Sequence, residues 1–199
     1  MYTPLLSDGR FHRILWELDE QSAQEVKEQG CRRGDCCGAL HSARYLRKPR
    51  GMSALKGGEC WRLSFCCARD GCRGRTTPPS LRFLGPKVYW ATVVTVITAM
   101  RCGVTPARMQ RLKALVGVSR QTVLRWQRWW RERLPETAFW RACGGTLGSM
   151  AVQMGELPLS LLEQFAGTIE EQLLALLRLL APLTGGRGRA DSQVAAHVL

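Results

Sequence analysis

Two short cysteine loops set the tightest limit on what this chain can fold into: "CRRGDC", from Cys31 to Cys36, and "CARDGC", from Cys67 to Cys72. Each separates its cysteines by four residues and carries arginine with an Asp/Gly pair. Four thiolates delivered by two such loops satisfy a tetrahedral metal ion, and zinc is the usual occupant of an all-cysteine site. The thirty residues between Cys36 and Cys67 suit two β-hairpins closing over one ion. Cys31, Cys36, Cys67 and Cys72 are therefore the candidate ligands of a Zn2+ ion. Cys37 and Cys66 stand beside two of them and are alternatives, while His41 reads as a hydrogen-bonding residue on a strand. Cys60, Cys102 and Cys143 read as ordinary thiols. The competing interpretation is a set of reduced, half-buried cysteines. A redox pair is not expected, because no Cys-x-x-Cys is present.

The surroundings of the loops favour metal over disulfides. The start "MYTPLLSDGRFHRILWELDE" lacks the basic-then-apolar pattern of a secretory leader. The most apolar run, "VYWATVVTVITAM", has thirteen residues, three of them threonine, and is too short to cross a bilayer. A cytoplasmic, nucleoid-associated chain with reduced thiols and no membrane partner is expected, and nine cysteines there point to metal. Segment 31–80 is poor in large apolar residues, so a bound ion would supply much of its folding free energy.

The formal net charge is +13 and the pI about 9.9, which suits phosphate polymers or anionic surfaces as partners. The charge is uneven. Residues 43–87 carry eleven basic and two acidic side chains (+9), and 101–134 carry nine and one (+8). Residues 1–30 carry three and six, a balance of −3.

The expected fold class is α+β, mainly α. "RFHRILWELDEQSAQEV" spaces Phe11, Ile14, Leu15, Leu18 and Val26 for an N-terminal amphipathic helix in a segment 1–30 that ends at Gly30. Segment 31–80 reads as a small β-hairpin zinc ribbon, with "ALHSARYLRK" and "WRLSFCC" as its arms. Segment 86–134 reads as three helices of homeodomain-like helix-turn-helix layout. Its first, "KVYWATVVTVITAMRCG", competes with a strand because of its β-branched residues. "RACGGTLGSM" reads as a loop. A C-terminal helix over 157–183, broken near Gly167, precedes an unstructured tail, 184–199.

"TPARMQRLKALVGVSRQTVLRWQRWWRERL" carries the functional signal. Thr105 and Ser119 are helix caps, Pro106 suits a first helical position and Gly117 a tight stop. A second helix that opens on Ser and is rich in Arg suits the DNA major groove, its first residues against base edges. Ser119, Arg120, Gln121 and Thr122 occupy that end, with Arg125 and Arg128 following on roughly the same face. Arg108, Arg111 and Lys113 are candidates for phosphate contacts. Leu112, Leu115, Val116, Val118, Val123, Leu124 and Trp126 or Trp130 are expected between the helices. Ribbon residues Arg44, Arg47, Lys48, Arg50, Arg73 and Arg75 are further candidates for phosphates. The competing interpretation is a helical hairpin whose arginines only solvate its surface.

The ribbon, "GRTTPPSLRFLGPKVYW" and "GVSRQTVLRWQRWW" together resemble the N-terminal DNA-binding region of bacterial insertion-sequence transposases and their derivatives, over about residues 31–133. The resemblance implies double-stranded DNA of transposon-end type as partner and the four cysteines as zinc ligands. Such transposases cut with three carboxylates on a ribonuclease-H-like sheet. Here 65 residues follow Leu134, with Glu136, Glu156, Glu163, Glu170, Glu171 and Asp191 as their acids and no alternating strands. Two-metal chemistry needs carboxylates converging from separate elements, so no DNA cleavage by this chain alone is expected. The alternatives are the DNA-binding subunit of a split transposase with a separate catalytic subunit, or an RNA-binding ribbon protein. The leucine-rich C-terminal helix is expected either to pack on the helical domain or to form a homodimer.

Overall fold

Asp8 starts the first long helix: its carboxylate accepts hydrogen bonds from the Arg10 and Phe11 amides, at 2.8 and 3.4 Å. Helix α1 then runs over Gly9–Gln29, longer at both ends than its apolar spacing predicts, and stops at Gly30, whose φ is +69°. The computed structural model describes residues 2–47, 60–84, 89–144 and 152–185. It is α+β and mainly helical, with two small antiparallel sheets. Among the described residues, no helix is long and apolar enough to cross a membrane.

The cysteine-rich segment contributes all five strands found among the described residues. Strand β1 (Leu40–Ser42) pairs with β4 (Phe65–Cys67), which also pairs with β5 (Arg75–Thr76). Strands β2 (Tyr45–Leu46) and β3 (Trp61–Arg62) form a separate ladder between them in sequence. The register Leu40↔Cys67 buries both residues, with Cys31 and Phe65, against Ala23 and Val26 of α1. The two expected arms are therefore strands. Lys48 and Arg50 lie outside the described residues.

Helix α2 (Trp90–Cys102) forms where a strand competed. Its residues from Trp90 to Ala99 are all buried, so it is covered on every side. Its Thr95 hydroxyl donates to the Ala91 carbonyl at 2.8 Å, which satisfies the hydroxyl inside an apolar setting. Helix α3 (Pro106–Val116) and helix α4 (Arg120–Arg128) both pack on it. A π-helical turn, Trp129–Arg133, continues α4 and brings Trp130 and Leu134 into the core. A short helix α5 (Ala138–Ala142) follows, so the expected loop at 141 begins instead as helix, and residues 145–150 lie outside the described set.

The C-terminal segment is two helices, α6 (Leu159–Leu162) and α7 (Ile169–Leu180). The break falls at Gly167, with φ +100°, and α7 restarts through a capping box between Thr168 and Glu171. Leu173, Leu176 and Leu177 are wholly buried with Phe11 and Leu15 of α1 and Val93 and Ile97 of α2. These leucines pack on the helical domain, one of the two destinations expected for them. The N-terminal, central and C-terminal helical segments thus share a core.

A polar strap over residues 78–84 joins the ribbon to the helices. Asp19 of α1 accepts from the Ser80 hydroxyl (2.5 Å), the Leu81 amide (2.7 Å) and the Arg82 Nε (2.8 Å), all of it buried. Arg82 also donates to the Trp61 carbonyl at 2.9 Å and lies over the Trp16 ring at 4.2 Å. The buried Arg62 of β3 donates to the carbonyls of Pro78 and Thr184, and burial pulls its guanidinium down to about 10. Thr184 also accepts from the Ser80 amide at 2.7 Å, so the start of the expected tail is anchored. Residues 186–199 lie outside the described residues.

Candidate metal centre and basic helical hairpin

The two cysteine loops close in the same way. In each, the first cysteine's amide donates to the carbonyl of a glycine seven residues on: Cys31 to Gly38 and Cys67 to Gly74, both at 2.9 Å. The last cysteine's amide donates three residues back, Cys36 to Arg33 at 3.2 Å and Cys72 to Arg69 at 3.1 Å. Gly34 (φ +56°) and Gly71 (φ +81°) make the left-handed turns inside the loops. Strand pairing of Leu40 with Cys67 then brings the loops face to face.

The Sγ atoms of Cys31, Cys36, Cys67 and Cys72 all lie within 4.8 Å of one another. Cys31 and Cys72 are 3.7 Å apart, as are Cys36 and Cys67. Four sulfurs at about 2.3 Å from one tetrahedral ion would be separated by about 3.8 Å. The quartet therefore fits a single metal ion. Among the described residues it is the one place where three or more potential ligands meet. Cys37 is exposed and Cys66 donates to the Cys67 and Arg73 carbonyls, so neither belongs to the quartet. His41 sits opposite Cys66 on β1, exposed and outside it.

The thiols of the quartet differ in how readily they ionise. The Gly38 amide stabilises the Cys36 thiolate and draws that thiol down to about 7. Against a hydrogen bond from the Arg69 amide, burial and the sulfurs of Cys36, Cys72 and Cys31 push the Cys67 thiol up to about 12. Four thiols this close cannot all ionise together without a metal to hold the charge.

Gly38 and Gly74 are site residues that the four-residue spacing alone did not single out. The signal was present, since the loops match two residues further, as "CRRGDCCG" and "CARDGCRG". A Cβ on Gly38 would stand 2.7 Å from the Cys67 sulfur and 3.0 Å from the Arg69 Cβ. One on Gly74 would stand 3.0 Å from the Arg33 Cδ and 3.4 Å from the Cys72 sulfur. Gly38→Ala should therefore push Cys67 out of position and weaken metal retention at least tenfold in chelator competition. Retention equal to the unaltered chain would mean the loops tolerate that shift.

The second candidate surface is the α3–α4 hairpin. The Thr105 hydroxyl accepts from the Arg108 amide, Gly117 turns the chain at φ +62°, and the Ser119 hydroxyl accepts from the Thr122 amide at 3.2 Å. Both caps and the turn lie where the sequence placed them. Val123 and Gln127 of α4 are buried, with Trp130 of the turn that continues it, and Gln121, Arg125 and Arg128 form the exposed stripe opposite. Ser119 and Arg120 are exposed beside that stripe, and Thr122 is half-buried and hydrogen-bonded to Ser119. Arg111 and Lys113 are exposed on α3. Arg108 differs: its guanidinium turns back onto the Cys102 and Gly103 carbonyls, where it caps the end of α2.

The interior of the hairpin departs from expectation at two positions. Leu115 is 47% exposed and Leu124 37%, so neither packs between the helices. Their places go to Met109 and to Gln127, whose amide donates to the Met100 sulfur at 3.1 Å. On the ribbon, Arg44 stacks on Trp61 at 5.1 Å, Arg47 and Arg75 on Tyr45 at 4.9 and 5.8 Å, and Arg73 pairs with Asp70 at 2.7 Å.

No protein-family model matches this chain, and neither the curated proteins nor the solved structures yield a match. The likeness to insertion-sequence transposases thus stands on the residues quoted above.

Proposed function

We propose that this chain is a zinc-stabilised, sequence-specific DNA-binding protein of transposase ancestry without a catalytic centre of its own. Cys31, Cys36, Cys67 and Cys72 hold one Zn2+ ion and thereby build a zinc ribbon. Helices α2, α3 and α4 act as a homeodomain-like helix-turn-helix, with α4 as the helix that enters the major groove of double-stranded DNA. The observation that carries this reading is the exposed stripe of Gln121, Arg125 and Arg128, opposite a buried stripe, behind the Ser119-capped end of α4. Arg120 and Gln121 sit where paired hydrogen bonds to guanine and adenine would be made. Arg111 and Lys113 supply phosphate contacts, with Arg44, Arg47 and Arg75 on the ribbon.

The carboxylates that follow Leu134 support a non-catalytic role. Glu136 pairs with Arg133, Glu163 with Arg101 and Glu170 with Arg10, while Glu171 caps α7. Each is engaged in an ion pair or a cap, and among the described residues no three carboxylates come together.

Titration of labelled oligonucleotides by anisotropy tests this reading. Duplex DNA should be bound in preference to single-stranded RNA, with an affinity that falls steeply with salt. Arg120→Ala with Gln121→Ala should cost about 1–3 kcal/mol of discrimination per lost base contact while leaving affinity for random duplex nearly unchanged. Preference for single-stranded RNA, or an equal loss on every duplex, would overturn the role given to α4.

A further inference from the structure

A divalent ion held by four thiolates leaves a local charge of −2. Here that charge would sit among largely buried sulfurs, where an uncompensated anion is costly. The loops that make the site carry the opposite balance. Cys31–Gly38 contains Arg32, Arg33 and Asp35, and Cys67–Gly74 contains Arg69, Arg73 and Asp70, so each loop contributes +1 and the pair +2. The loaded centre and its loops would sum to zero.

Two of these arginines occupy equivalent places. Arg33 and Arg69 both stand two residues after the first cysteine, and both lend their carbonyls to the last cysteine's amide. Each also packs against the opposite loop's closing glycine. The Arg33 stem crosses Gly74 beside Cys72, and Arg69 lies against Gly38 beside the Cys67 sulfur, to which its own amide donates at 3.4 Å. Among the described residues, neither guanidinium is paired with a carboxylate, whereas Arg73 is taken by Asp70.

We infer that Arg33 and Arg69 are the charge partners of the metal–thiolate centre, positioning residues that set how tightly the ion is held. This rests on the metal reading above. It separates these two arginines from those given to nucleic acid, since their field is spent on the thiolates. Outer partners of metal ligands typically govern a factor of about 10–100 in metal affinity.

Competition for zinc against a chromogenic chelator, on the full chain, tests the inference. Arg33→Met with Arg69→Met keeps the apolar stems and removes the charge. It should weaken zinc affinity about 10–100-fold at low salt, with a smaller gap as salt screens the exposed guanidiniums. Arg33→Lys with Arg69→Lys should bind zinc as the unaltered chain does. Methionine variants that bind equally well would overturn the inference, as would lysine variants as weak as the methionine pair, which would point to shape. An unaltered chain that takes up no zinc would instead bring down the metal reading itself.

Discussion

Replacing Cys67 with serine should empty the metal site and unfold the ribbon while the helical part stays folded. Cys67 is fully buried, belongs to one of the two sulfur pairs at 3.7 Å and pairs with Leu40 of β1. Among the described residues the ribbon has little else: its cluster holds Ala23, Cys31, Leu40, Phe65 and Cys67 as buried apolar residues. Structural zinc in small domains contributes about 10–16 kcal/mol of apparent binding free energy at neutral pH, far more than such a cluster. The larger core, from Phe11 and Trp90 through Leu157 to Leu180, includes none of the four ligand cysteines. Elemental analysis should show zinc falling from one per chain to a small fraction, with most of the helical circular dichroism kept. Undiminished zinc in Cys67→Ser would mean the ligand set is wrong.

Asp19→Ala is the second large effect, about 3–5 kcal/mol of lost stability, because it strands a buried guanidinium. Both side chains of the Asp19–Arg82 pair are at most 5% exposed. The same carboxylate also satisfies the Ser80 hydroxyl and the Leu81 amide. Against a typical total of about 5–15 kcal/mol for a domain, the loss is severe. Urea unfolding followed by tryptophan fluorescence measures it. A double replacement, Asp19→Leu with Arg82→Met, should recover much of the loss, since well-packed apolar groups can replace a buried ion pair. A single-variant loss below about 1 kcal/mol would show that water reaches the strap.

Which parts were legible in the sequence follows from the range of the interactions. Thr105, Pro106, Gly117 and Ser119 act on amides within four residues of themselves, so their roles could be read directly. The break at Gly167 was legible for the same reason. The cysteine loops were legible because metal chemistry dictates the spacing, and their pairing needed only one β ladder between them.

The misreadings concern contacts made across the chain. Arg62 and Arg82 count only toward the basic balance of residues 43–87 in the sequence, yet they are buried because Asp19, Trp61 and Thr184 converge on them from distant segments. Leu115 and Leu124 read as core by type, but the faces of α3 and α4 that meet α2 carry Met109 and Gln127 instead. The contact of Arg108, a phosphate candidate, with the Gly103 carbonyl was not legible, because nothing local shows that the end of α2 lies within its reach.

Native mass spectrometry of the chain, purified without added metal, tests most directly whether a tetrathiolate ion organises the ribbon. One zinc per chain is expected, lost on acidification as the thiolates take up protons, with ribbon resonances collapsing in step. A metal-free chain whose ribbon stays folded, with all four thiols open to alkylation, would contradict it.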